Sequence, residues 1–266
     1  MTTPMSVPMS TLPAQPLRFA VLVMLGLEAV LLLCLGAARL FLPEVSLLDL
    51  DAPILLINAV VAGVLLTRLG WWRAAGFTRV GRPGDLWLLA LPVALLVGPA
   101  VLVGVDLPPL GRALTLTLIT LLIAFQEEAI FRGVLLHALT PLGTRKAVLG
   151  SAALFGAIHI NSLLVGRDPA FVAVQVVASL LGGVGFAALR LRLGSIWPLI
   201  LLHALNDFVQ FSAAGGLAVE HASVMLLVAK LSISLLIAVY GLRLLRAGTR
   251  PGGAGAAPRP LRHPGT

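Results

Sequence analysis

The chain has 266 residues, of which 59% are hydrophobic and only 11% charged, and its mean hydropathy is +1.02. Soluble domains carry about 25% charged residues, so this composition excludes a soluble globular protein and points to one that lives in a bilayer. The net charge of +8 is spread as arginines between apolar segments rather than gathered into a patch, which speaks against a nucleic-acid partner and for charges that set membrane orientation.

Residues 1–16 hold four prolines and no charge and are expected to form a disordered tail. Arg18 then precedes an apolar run from Phe19 to about Leu42. That run is longer than the ~7–15 residues of a signal-peptide core, so it is read as an uncleaved first helix. The single cysteine, Cys34, lies inside it and is read as a small packing side chain. Further runs at Pro53–Leu69, Leu86–Val105, Ala113–Leu136, Ala147–Leu164, Phe171–Leu189, Ile196–Ala213 and Val224–Leu245 bring the count to eight. Each is near the ~20 residues that cross a bilayer.

Loop charges agree with that count. One side receives Arg18, then Arg68, Arg73, Arg79 and Arg82, then Arg132, Arg145 and Lys146, then Arg190 and Arg192, and finally Arg243, Arg246, Arg250, Arg259 and Arg262. The other receives Glu44, Asp49, Asp51, Asp106, Asp168 and Glu220 against Arg39, Arg112 and Arg167. Cytoplasmic loops are the ones rich in Lys and Arg, so both termini are expected in the cytoplasm. The linker Gly70–Asp85, with Trp71, Trp72 and Phe77, is expected at the cytoplasmic interface, and the Gly/Pro/Ala-rich residues 249–266 as a disordered tail.

Against this apolar background a few polar side chains stand out. Glu127 and Glu128 close the apolar run Leu114–Phe125, and Arg132 follows. An acidic side chain at the centre of a membrane helix costs roughly 2.5–3.5 kcal/mol, so two adjacent glutamates need a purpose. Glu128 and Arg132 are i, i+4 and share a helix face. Glu127 is turned away by about 100° and is left for a histidine from another helix. The fifth run offers His159, with Phe155 before it and Asn161 after; the seventh offers His203, with Asn206 and Asp207. Glu28 and Lys230 both fall near the midplane and are expected to pair between the first and last helices.

Two carboxylates, two imidazoles and an Asn/Asp pair at one depth suit hydrolysis. A carboxylate and an imidazole can take a proton from water, and a second imidazole with an amide or acid can steady the oxyanion. Glu127, His159 and His203 are equally an ordinary ligand set for a divalent metal such as zinc, and the residues leave a metal-bound and a metal-free water both open. Other intramembrane protease signatures are missing: there is no His-Glu-x-x-His, no Gly-x-Ser-Gly and no Gly-x-Gly-Asp.

Glu127-Glu128-x-x-x-Arg132, Phe155-x-x-x-His159 and His203-x-x-x-Asp207 resemble the three motifs of the CPBP (CAAX protease and bacteriocin-processing, or Abi) intramembrane proteases. Eukaryotic relatives in that family are the type II CAAX prenyl endopeptidases, which remove the last three residues of prenylated proteins. The resemblance implies that Glu127 acts with His159 on the attacking water. It implies that Glu128 and Arg132 shape the site, and that His203 and the residue four after it support the oxyanion or a metal. One departure stands out. The last motif usually ends in Asn, whereas Asp207 occupies that register here with Asn206 just before it. An ionised Asp cannot donate a hydrogen bond to an oxyanion, whereas Asn206 can.

The expectation is an all-α, polytopic protein of the plasma membrane, with eight transmembrane helices in one bundle over residues 17–248. Both termini are placed in the cytoplasm and the protease-like core at about 110–215. Its expected activity is that of an intramembrane endopeptidase acting on membrane-associated proteins or peptides near the cytoplasmic side, with Glu127, Glu128, His159 and His203 catalytic and Arg132, Asn206 and Asp207 in support. The competing reading is a catalytically silent immunity or scaffold protein on the same fold. A transporter stands third, since no matched pair of Gly/Pro-broken spans marks two halves.

Overall fold

Apolar runs in this chain fold as helices because, away from water, a helix satisfies its own backbone hydrogen bonds. The computed structural model describes residues 12–45, 51–103, 107–213 and 224–248, and no strand occurs among them. Most of the two expected tails, and the loop charges Asp49, Asp106, Glu220, Arg250, Arg259 and Arg262, lie outside the described residues.

The first two helices are α1 (Pro16–Phe41) and α2 (Asp51–Leu69). A 3-10 turn, Pro83–Leu89, leads into α3 (Ala90–Leu96) and α4 (Gly98–Val103). α5 (Leu110–Glu127) continues as a π-helical stretch, Glu128–Leu135, and a short α6 (Leu136–Ala138). α7 (Thr144–Ile158) ends in a 3-10 segment, His159–Val165. The remaining helices are α8 (Pro169–Leu193), α9 (Trp197–Ala213) and α10 (Val224–Gly248).

Six helical segments are long and apolar enough to cross a membrane: Pro16–Phe41, Ala52–Leu69, Leu110–Ala138, Thr144–Leu164, Pro169–Leu193 and Val224–Ala247. Two of the eight expected spans fall short of that length and hydropathy. The run expected as one helix over Leu86–Val105 is broken at Val97 between α3 and α4, where Gly98-Pro99 opens the second piece and Pro99 lacks a backbone N–H. α9 has 17 residues, and its His203, Asn206 and Asp207 lower its hydropathy.

α8 is the central strut, packing along α7 on one side and α10 on the other, while α5 packs on α9 and α2. Its start is fixed by Asp168, whose Oδ1 accepts from the backbone N–H groups of Ala170 (2.7 Å) and Phe171 (2.9 Å), with Pro169 at the first helical position. Gly194, in the left-handed region at φ 69°, ends it. Lipid is as apolar as leucine, so membrane helices gain from close backbone approach at small residues. Gly185 and Gly241 supply it between α8 and α10. A Cβ on Gly241 would stand 2.6 Å from the Gly185 Cα, and one on Gly185 would meet Ile237, including its carbonyl oxygen at 2.7 Å. Phe171 of α8 meets Lys230 of α10, and Gly185 further along α8 meets Gly241 further along α10, so the two helices run parallel.

The linker after α2 is a packed element. Trp71 is 2% exposed and Ala75 fully buried. Residues 76–81 are stitched to the α8–α9 corner: Ile196 N–H donates to the Gly76 carbonyl (2.8 Å), Gly81 N–H to the Leu193 carbonyl (3.0 Å), and Ser195 Oγ to the Thr78 carbonyl (2.7 Å). The Arg190 guanidinium donates to the carbonyls of Ala75 and Ala74, both at 3.1 Å.

The expected Glu28–Lys230 pair does not form. Glu28 hydrogen-bonds Asn161 in the 3-10 segment after α7, and the Lys230 Nζ lies 5.6 Å from the centre of the Phe171 ring. Equal depth does not fix which way each side chain points around its helix.

Candidate active site

The site begins where α5 widens into the π stretch. A π turn closes hydrogen bonds five residues apart and occurs most often at functional sites. Every residue of Glu128–Leu135 is buried. Two contacts accompany the widening. Gly133 lies against Ala75 of the linker, where a Cβ would come within 3.0 Å of the Ala75 Cβ, and Ser151 Oγ of α7 donates to the Phe131 carbonyl at 2.6 Å.

Arg132 Nη1 stands 3.1 Å from Glu128 Oε1, forming the expected i, i+4 pair, with the two side chains 2% and 0% exposed. The guanidinium carbon lies 3.9 Å from the centre of the Phe155 ring and 5.4 Å from that of Phe186, where each ring's π face attracts the cation. The same Glu128 oxygen takes a hydrogen bond from His203 Nδ1 at 2.8 Å. A carboxylate only accepts, so the His203 Nδ1 carries the hydrogen. Its Nε2 is thereby turned to two further carboxylates, Glu127 Oε2 at 3.5 Å and Asp207 Oδ2 at 3.4 Å. Asn206 Nδ2 donates to Asp207 Oδ1 at 3.3 Å. Of the adjacent glutamates, Glu128 is sealed, whereas Glu127 is 21% exposed and open to a small molecule.

His159 is held separately. Its Nδ1 donates to the Phe155 carbonyl at 2.9 Å, which leaves Nε2 as an acceptor facing the Ser179 hydroxyl at 3.4 Å. Its ring stands edge-on to Phe155, centroids 5.1 Å apart, and Phe155 in turn lies 6.4 Å from the His203 ring. The structure therefore brings Glu127, Glu128, Arg132, His203, Asn206 and Asp207 into one contact network. His159 joins it through Phe155, and the imidazole that Glu127 reaches is His203.

Ser179 and Phe186 were not singled out by the sequence reading. Ser179 left a signal, being one of two uncharged polar side chains, with Gln175, in the α8 run Phe171–Leu189. Phe186 left none, since one aromatic in an apolar helix is ordinary.

Glu127, His159 and His203 do not fit a metal as they stand. Among the described residues no group of three or more His, Cys, Asp or Glu side chains is placed to hold one. His159 points its free nitrogen at Ser179.

Taken together, fold and site define a polytopic, all-helical membrane protein with a buried Glu/Arg/His network in its bundle. Residues 109–209 match the family described as Rce1-like, type II CAAX prenyl endopeptidase. The matched segment runs from the start of α5 through Asp207 in α9 and contains all seven side chains named at the outset. No curated protein and no solved structure matches the chain.

Proposed function

We propose that this protein is an intramembrane endopeptidase of the CAAX protease type, cutting membrane-associated protein or peptide substrates near the cytoplasmic side. In this reading the broken segment 83–103 and α9 complete eight spans, both termini lie in the cytoplasm, and the bundle sits in the plasma membrane. One observation carries the activity: the accessible carboxylate of the Glu127–Glu128 pair lies beside His203 Nε2, whose other nitrogen is locked to Glu128.

The chemistry follows from those positions. Glu127 takes a proton from water, and His159, once its acceptor Nε2 turns from the Ser179 hydroxyl, orients the same molecule. The oxygen adds to the scissile carbonyl, and the oxyanion is met by the Asn206 amide hydrogen not used by Asp207 and by His203 when its Nε2 carries a proton. Collapse breaks the C–N bond, and the proton held by Glu127 passes to the leaving amine. Glu128 and Arg132 touch no reacting atom; they position His203. Because the three candidate ligands do not converge on one point, water activation is assigned to Glu127 without a metal.

The test is cleavage of peptides by the purified protein in liposomes, wild type against Glu127→Ala, with and without a chelator. Cleavage that is lost in the variant and unchanged by the chelator is the expected result. Full biological effect of the Glu127→Ala protein in cells would instead establish the scaffold reading.

A further inference from the structure

The charges of the site do not close within the matched family segment. Glu127, Glu128 and Asp207 are three carboxylates around one imidazole, and Arg132 neutralises only Glu128. A carboxylate withdrawn from water needs a partner, or its burial costs several kcal/mol. The next cation comes from outside residues 109–209. Lys230, one of the two lysines of the chain, is carried by α10.

Its position matches. Asp207 lies six residues before the end of α9 and Lys230 six after the start of α10, about 9 Å along each helix at ~1.5 Å per residue. The Lys230 Nζ is held 5.6 Å from the centre of the Phe171 ring in α8. Asp207 and Lys230 are electrostatic neighbours, as are Lys230 and His159. Lys230 has no ion pair within 4.0 Å among the described residues. Beyond His203 itself, the half-buried lysine is thus the cation left to compensate Asp207.

We propose that Lys230 is a positioning residue of the active site: α10 supplies the cation that balances Asp207 and holds it against His203 Nε2. The site is then built from four helices, α5, α7, α9 and α10. The activity arm of this inference rests on the hydrolytic reading; the stability arm does not.

The experiment is a double-mutant cycle on the full chain in detergent, with wild type, Lys230→Met, Asp207→Asn, the double variant and Lys230→Arg. Thermal unfolding and peptide cleavage are both read. If the two charges are coupled, Lys230→Met lowers Tm by about 3 °C or more and kcat by about tenfold with Asp207 present. In the Asp207→Asn background it changes kcat by no more than about twofold, because the interaction is already gone, whereas non-interacting sites would add. Lys230→Arg restores kcat. Equal losses from Lys230→Met in both backgrounds would overturn the proposal, as would a rise in KM with kcat preserved, which would make Lys230 a substrate anchor. Should wild type cleave nothing, the hydrolytic reading fails alone and the Tm cycle still decides the coupling.

Discussion

His203 Nδ1 donates to Glu128 Oε1 at 2.8 Å, the same oxygen that pairs with Arg132 at 3.1 Å. One atom of a fully buried carboxylate thus ties the π stretch after α5 to the middle of α9, and it settles which nitrogen of His203 faces the open side of the site. The two adjacent glutamates hold opposite nitrogens of one ring, and their duties divide accordingly.

That division is measurable. Glu128→Ala leaves Arg132 buried without its partner, and breaking a buried pair costs roughly 3–5 kcal/mol; a large drop in Tm is expected, with loss of activity following from it. Glu127→Ala removes a carboxylate that is 21% exposed. It is expected to leave Tm near wild type while lowering kcat by about 10²–10⁴, the usual worth of a general base. Thermal unfolding and single-turnover cleavage of the two variants check this, and equal stability loss in both would contradict it.

Chelation offers a second check. With no three candidate ligands converging among the described residues and the free nitrogen of His159 on Ser179, an excess of chelator is expected to leave cleavage rates unchanged. Ser179→Ala removes the hydroxyl beside His159 and is expected to lower kcat by less than about tenfold, the range of one net hydrogen bond of ~0.5–1.5 kcal/mol. A metal content near one per chain with chelator-sensitive activity would show that the ligands rearrange around an ion.

Much of the helical layout was legible because a bilayer leaves so few options: long apolar runs, bounded by charges, must be helices. The pairing of Glu128 with Arg132 and the approach of Glu127 to His203 were legible for a related reason, since charges so costly in lipid must find one another, whereas the bond from His203 to Glu128 was not. Three further things were not. The widening at Glu128–Leu135 depends on Ser151 and Ala75, which pack from other parts of the chain. The docking of the linker depends on residues 190–196, more than a hundred positions away. The pairing of Glu28 with Lys230 was inferred from depth, and direction around a helix axis decided otherwise. The break before Gly98-Pro99 was written in the sequence and was outweighed by the hydropathy of its flanks.

The α8–α10 crossing should be intolerant of bulk. Gly241→Leu places a branched side chain where even a Cβ comes within 2.6 Å of the Gly185 Cα, and the helices must part. Overpacking typically costs about 1–3 kcal/mol, so a Tm lowered by several degrees is expected. Gly26→Leu in α1, where nothing lies within 4 Å of the added Cβ, serves as the control and should be neutral. An unchanged Tm for Gly241→Leu would contradict the crossing.

The clamp at Gly76 tests whether the linker matters to the site. Gly76 has φ 92°, a conformation that L side chains rarely adopt, and a Cβ there would run into the Arg190 guanidinium. Gly76→Ala therefore strains the backbone and displaces Arg190 from the carbonyls of Ala74 and Ala75, at a cost of about 1–3 kcal/mol for the strain. The consequence should travel. The next residue, Phe77, packs at a tilt on Phe125 with ring centroids 5.9 Å apart and edge-on against Trp197 at 5.3 Å. Phe125 lies two residues before Glu127, and Trp197 opens the helix that carries His203. Loosening the clamp thus frees the two elements that hold Glu127 against His203. Gly76→Ala and Arg190→Met are both expected to lower kcat more than they raise KM, while Phe77→Leu, which keeps the backbone stitching but removes the ring, should show a milder form of the same loss. Cleavage kinetics at saturating substrate, read beside Tm, separate the two effects: a Tm loss with kcat intact would confine the clamp to stability.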